Sequence, residues 1–242
     1  MSKSSLKVLL LGNSGTGKTA FATRAAKNTF NSKHKSTVGV DFFPLNLSIH
    51  GTEVTVNVWD TAGQERFSSL VESYYRGADA CVLCYDPTHP ASFIALTKWH
   101  ASVLGHLDLP PPAAGVASSS AAPLPVPFPF IVVATKSDLL EPGHGYPASD
   151  LVDYAQVAEW CGRLGVPHFV ASAATGAGVS QVMRAVAELA WQYQNQPQSS
   201  SLALGRNSTG SQSTLIGVMR VSNGGGKSQP PLHGGSSSCQ CG

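Results

Sequence analysis

Short apolar runs alternate along the chain with longer stretches in which apolar residues recur at every third or fourth position. That rhythm predicts a mostly parallel sheet wrapped by helices, a three-layer α/β arrangement. Strands are expected at 7–11, 41–49, 54–60, 80–86, 130–134 and 168–171, giving a six-stranded sheet. Helices are expected near 17–27, 91–104, 152–163 and 177–194. In "VTVNVWD" the alternation is strict and puts Val54, Val56 and Val58 on one face. The last helix carries Val179, Val182, Met183, Val186, Leu189, Ala190 and Tyr193 as one stripe, and the folded domain is expected to close with it. "CVLC" sets Cys81 and Cys84 an odd number of residues apart in a strand, hence on opposite faces. They are read, with Cys161, as buried core thiols.

Two stretches break the rhythm. Residues 106–129, rich in Pro, Ala and Ser, are expected to be a disordered surface excursion, and 141–150 a shorter Pro/Gly loop. After Asn195 the composition turns to Ser, Gly and Gln, the mark of a flexible tail. The expected organisation is one domain over 1–194 and a tail over 195–242 that ends "SSSCQCG".

With 42% hydrophobic and 12% charged residues, the chain has the material for a sizeable core. A net charge of +2 with no basic run argues against a nucleic-acid partner. Five cysteines do not make a disulfide framework, so a reducing compartment is expected. The apolar run behind Lys3 and Lys7 is too short for a signal peptide, and none reaches the roughly 18 residues of a spanning helix. A cytosolic monomer is expected, unless the tail adds an anchor. Asp79, Asp86 and Glu72 read as loop and surface carboxylates.

"GNSGTGKT", at 12–19, fits G-x-x-x-x-G-K-[ST], directly follows a strand and opens a helix, the context this phosphate-binding loop needs. Its glycines let successive N–H groups converge on phosphate oxygens, and the helix start adds positive potential. The candidate phosphate residues are Asn13, Ser14, Gly15, Thr16, Gly17, Lys18, Thr19 and Ala20. Lys18 would reach the β- and γ-phosphates, and the Thr19 hydroxyl would ligate Mg²⁺. "VWDTAGQERF" puts Asp60 at a strand end, where a carboxylate that helps hold the metal belongs. Gly63 and Gln64 follow, and Gln64 can orient a water for in-line attack on phosphorus.

With "TVGVDF", "WDTAGQERF" and "YYRGA" added to that loop, the chain resembles the Ras superfamily of small GTPases, and within it the Rab family. "YYRGADACVLCYD" and "PFIVVATKSD" are most similar to the late-endosomal branch. The resemblance covers residue 7 to about 194 and implies a small G domain, a P-loop fold that binds GTP or GDP with Mg²⁺. It implies that Thr37 ligates the metal and senses the γ-phosphate, that Phe30 meets the guanine edgewise, and that Gly63 hinges a switch. Lys18, Thr37 and Gln64 would carry catalysis, and Thr19, Thr37 and Asp60 the metal. Phe42, Trp59 and Tyr74 match the aromatic triad that reads effectors. Expected partners are an exchange factor, a GTPase-activating protein, a dissociation inhibitor, a prenylation escort protein and effectors, at the cytoplasmic face of intracellular membranes.

Two motifs depart from the family pattern. "TKSD" has Thr135 where the family has asparagine; Lys136 and Asp138 are kept, and Asp138 can accept from guanine's N1–H and exocyclic amine. "SAAT" keeps Ser172 and Ala173 but has Ala174 where lysine is usual. Selectivity for guanine with somewhat weaker affinity is expected. Cys239 and Cys241 match a Cys-x-Cys geranylgeranylation site, although Gly242 follows where the cysteine is normally last. The leading reading is a Rab-like GTPase switch in vesicle traffic; the alternative is a pseudo-GTPase or constitutively nucleotide-loaded binding scaffold with altered guanine affinity. A P-loop ATPase or kinase does not account for Asp138 and "DTAGQE".

Overall fold

Strand β1 (Ser4–Leu11) lies at the heart of a six-stranded sheet. Its partners are β2 (Val40–Ile49), β3 (Thr52–Thr61), β4 (Ala80–Tyr85), β5 (Phe130–Ala134) and β6 (His168–Val170). The order is β2-β3-β1-β4-β5-β6, and all neighbours run parallel except β2 with β3. That antiparallel pair turns through His50 and Gly51, both at positive φ, the geometry a two-residue hairpin requires. The computed structural model describes residues 4–32, 36–63, 71–107, 127–141 and 143–195.

Among the described residues the helices include α1 (Lys18–Lys27), α2 (Pro90–Ile94), α3 (Leu96–His106), α4 (Tyr154–Leu164) and α5 (Val179–Gln194). Period-two alternation splits the sheet into two faces. Val8, Leu10, Val54, Val56 and Val58 pack with Phe21 of α1 and Val182, Met183 and Val186 of α5. Leu9, Leu11, Cys81 and Leu83 pack on the other side with Leu96, Trp99 and Val103 of α3 and Val157 and Cys161 of α4. Cys81 and Cys84 fall on opposite faces as free thiols, and burial pushes the Cys84 thiol up to about 12. Neither is poised for redox or metal chemistry. In the α5 stripe Leu189 and Tyr193 are only partly buried, and Ala187 packs in their stead.

Several expectations need correction. The helix expected at 91–104 is two pieces, because the Ala95 carbonyl accepts from both Lys98 and Trp99 and tightens the turn there. The 106–129 excursion is narrower: His106 ends α3, and Phe128 is buried edge-on to Phe130 and Tyr193 at 5.1 and 5.5 Å. Residues 108–126, and the tail from 196, lie outside the described residues. Asp79 is not a surface group. It is buried and accepts the Lys7 amide at 2.8 Å, which ties the start of β4 to β1. Among the described residues no helix is long and apolar enough to cross a membrane. Because β1, β3, β4, β5 and β6 are parallel, the loops that follow them gather along one edge, where ligands of such sheets bind.

Candidate functional site

The loop from β1 to α1 curls through Gly12, Gly15 and Gly17, all at positive φ. Gly12 has no room for a side chain: a Cβ there would stand 2.1 Å from the Cys84 carbonyl oxygen. Lys18 is buried beneath this loop and donates to the carbonyls of Gly12 and Asn13 at 2.7 and 2.9 Å. Two of its three protons are thereby used, leaving one for a ligand oxygen. Burial lowers its pKa, with Asp60 among the charges that oppose the shift. Trp99 of α3 fixes Asn13 from outside, its indole N–H donating to Oδ1 at 3.0 Å.

Asp60, at the end of β3, is fully buried. Its Oδ2 accepts from the Thr19 hydroxyl at 2.6 Å, and the Thr37 hydroxyl lies 2.7 Å from that of Thr19 and 3.4 Å from the carboxylate. The other oxygen, Oδ1, has no partner among the described residues. Burial raises the Asp60 pKa, while the Thr19 hydroxyl and Lys18 hold it down. Two hydroxyls and a carboxylate, one of whose buried oxygens is orphaned, form a hard oxygen set that suits Mg²⁺, which takes few protein ligands and completes its shell elsewhere. The Ala62 amide donates to the Gly39 carbonyl at 2.9 Å, so the segments bearing Thr37 and Gly63 are tied together. Gly63 presses on the phosphate loop: a Cβ there would sit 2.4 Å from the Ser14 nitrogen and 2.5 Å from Lys18 Nζ.

Farther along the edge lies the second half of the site. Thr135 is buried, and its hydroxyl bridges towards the carbonyls of Thr16 and Tyr85 at 2.5 and 2.8 Å. Lys136, at φ 52, reaches Asp86 Oδ2 at 2.6 Å. Asp86, expected at the surface, is buried here instead. Burial pushes its pKa up, but the Lys136 ammonium and the Thr88 hydroxyl and amide outweigh that and hold it below the usual carboxylate range. Its place at the carboxyl end of β4 was the signal to weigh. Ser172 donates to Asp138 Oδ1 at 2.5 Å, which orients that carboxylate. Arg24 of α1, also missed, takes the carbonyls of Ala173 and Ala174 at 2.6 and 2.8 Å.

A cavity of about 400 Å³ joins the two halves, lined by Ser14, Gly15, Gly17, Lys18, Thr19, Ala20, Phe30, Thr37, Gly63, Thr135, Lys136, Asp138, Ala173 and Ala174. Asn13, Thr16, Asp60 and Ser172 stand behind its wall and hold the lining in place. Phe42 is exposed and meets Trp59 edge-on at 4.4 Å, and Tyr74 lies 5.5 Å from Trp59, so these three form one aromatic patch. Gln64, Cys239 and Cys241 lie outside the described residues.

A Ras family model matches residues 7–192. The chain is 37% identical over 186 residues to Ras-related protein RABG3b of Arabidopsis thaliana, covering 76% of this chain and 83% of that protein. It is 36% identical to Ras-related protein Rab7 of Glycine max, over 76% of this chain and 82% of the relative. The Ypt/Rab-type GTPase YPT7 of Saccharomyces cerevisiae is 44% identical over 111 residues, 46% of this chain and 53% of that protein. An extended cavity that ends in a buried lysine on one side and an oriented aspartate on the other is what such a match requires. The chain belongs to the Ras family, in its Rab branch of small GTPases that act in membrane traffic.

Proposed function

We propose that this chain is a GTP/GDP switch of late-endosomal membranes in which Thr37 and Gly63 grip the terminal phosphate together. The observation that carries the reading is the meeting of Thr19, Thr37 and Asp60 oxygens at one point, with Asp60 Oδ1 left open. Thr19, Thr37 and Asp60 would hold Mg²⁺, which neutralises phosphate charge when bound. Lys18 binds β- and γ-phosphate oxygens, within the cradle formed by residues 13–20. Gln64 orients the attacking water. Asp138 takes the guanine N1–H and amine, Lys136 lays its stem along the base, Phe30 covers its edge, and Ala173 offers its N–H to the ring carbonyl.

Loss of the γ-phosphate frees Thr37 and Gly63 and remodels the surface beside Phe42, Trp59 and Tyr74, which we assign to effectors. No arginine finger is supplied in cis by the described residues, so hydrolysis is slow until a partner supplies one, a gain of roughly 10³–10⁵. Exchange factors, activating and dissociation-inhibiting proteins and a prenylation escort complete the cycle. Cys239 and Cys241 carry two geranylgeranyl groups: one lipid chain anchors only marginally, and the tail has few cations to help it. The test is the nucleotide content of the purified protein followed by single-turnover GTP hydrolysis. Bound GDP, Mg²⁺-dependent turnover and loss of partner-stimulated turnover in Gln64→Leu are expected. Purification without guanine nucleotide, or full stimulation of the variant, contradicts the reading. Intact mass from cells tests the anchor, which fails if neither cysteine carries a lipid.

A further inference from the structure

The base-facing loop at 172–175 has no long side chain of its own with which to fix its backbone. Ala173 and Ala174 both line the cavity, and neither methyl group can make a hydrogen bond. The loop is held instead from α1. Arg24 is half-buried, and its Nε donates to the Ala173 carbonyl at 2.6 Å while Nη2 donates to the Ala174 carbonyl at 2.8 Å. Its remaining nitrogen is occupied too: Nη1 reaches the Asn28 carbonyl and Oδ1 at 3.0 and 3.2 Å, where Asn28 ends the helix at φ 51. A planar guanidinium engaged at all three nitrogens has little freedom left, and it fixes two carbonyls at once.

The peptide plane converts that grip into an effect on the cavity side. In a trans peptide the C=O of one residue and the N–H of the next point in opposite directions. The Ala173 carbonyl is turned to Arg24, so the Ala174 N–H faces away from α1. The Ser172 carbonyl is likewise committed, accepting the Gly176 amide at 2.8 Å, which turns the Ala173 N–H outward from that turn. The Thr175 N–H, beyond the second gripped carbonyl, is taken by the Ser172 hydroxyl at 3.1 Å. Two donors, those of Ala173 and Ala174, are thus aimed by hydrogen bonds made on the far side of the loop.

We infer that Arg24 is a positioning residue for base discrimination: by holding the Ala173 carbonyl it aims the Ala174 N–H at the ring carbonyl oxygen of guanine, beside the Ala173 N–H that the Ser172–Gly176 bond turns outward. The inference rests on the guanine-nucleotide reading above and deepens it. It also connects the two ends of the site, because α1 begins with Lys18 and Thr19, assigned above to phosphate and metal.

The test compares GDP, IDP and ADP on wild type, Arg24→Met and Arg24→Lys, with affinities measured by competition against a fluorescent guanine nucleotide and melting temperature recorded alongside. GDP and IDP share the ring carbonyl, and ADP has an amine in its place. Arg24→Met should weaken GDP and IDP by about tenfold, the worth of one charge-assisted hydrogen bond, and leave ADP nearly unchanged. Arg24→Lys, able to reach one carbonyl, should fall between. A variant that melts lower but weakens all three nucleotides equally, or keeps the wild-type preference, overturns the inference and leaves Arg24 as a tie between helix and loop. A wild type that does not prefer GDP to ADP would instead sink the guanine reading itself.

Discussion

Replacing Thr135 with valine removes one hydroxyl and little else. That hydroxyl is buried, 2.5 Å from the Thr16 carbonyl and 2.8 Å from the Tyr85 carbonyl. It has a single proton to give, and the Tyr85 carbonyl already accepts the Thr135 amide at 2.9 Å. The proton is therefore most needed at Thr16, inside the phosphate loop. Valine leaves that oxygen short of a donor in a dry place, at a cost of about 1–3 kcal/mol. For a domain of this size each kcal/mol moves the melting point by roughly 2–4 °C, so a fall of about 5 °C is expected. If about 1.4 kcal/mol of the loss falls on the nucleotide-bound loop, GDP leaves about tenfold faster. Thermal unfolding and stopped-flow release of a fluorescent GDP measure the two effects. Thr135→Asn, whose amide also donates, should recover most of both. A valine variant that melts with wild type and releases GDP at the wild-type rate would refute the bracing argument.

Gly63→Ala should keep GDP yet slow hydrolysis by about tenfold or more, because the added Cβ would press within 2.5 Å of Lys18 Nζ and hold the segment off the phosphate loop. Single-turnover kinetics beside equilibrium binding separates those effects. Phe42→Ala removes an exposed ring whose contact with Trp59 is worth about 1 kcal/mol, so the melting point should shift by only a few degrees. Affinity for a partner captured by the GTP-loaded and not the GDP-loaded protein should nonetheless fall about tenfold or more. Burial lowers the pKa of both His100 and His168, so the unfolded chain binds protons that the fold does not. Their stabilisation is present above the ordinary value of 6.5 and is lost as pH falls through the lowered folded values. Denaturant midpoints should drop on acidification below that value, and His168→Gln should flatten the drop.

The sheet was legible in the chain because each strand obeys a local rule. Alternation in β3 places Val54, Val56 and Val58 against one set of helices, and the same rule separates Cys81 from Cys84. The phosphate loop was legible because its glycines, lysine and threonine are contiguous. What escaped notice depends on partners far away in sequence. Asp86 looks like a solvated carboxylate until Lys136, fifty positions later, is folded against it. Asp79 looks the same until the amide of Lys7, seventy-two positions earlier, is brought beside it. Arg24 gives no local signal of its hold on the base-facing loop, since the two acceptors there are backbone carbonyls about 150 residues on. The split of the helix at Ala95 was likewise hidden, because a tightened turn needs no glycine or proline at the break.

The claim on which the account turns is that a γ-phosphate and its metal tighten the hold between the segments bearing Thr37 and Gly63. The Ala62 amide, bonded to the Gly39 carbonyl at 2.9 Å, reports on that directly. Hydrogen exchange at this amide should be at least about tenfold slower with a non-hydrolysable GTP analogue and Mg²⁺ than with GDP. Equal exchange in the two nucleotide forms would contradict the account.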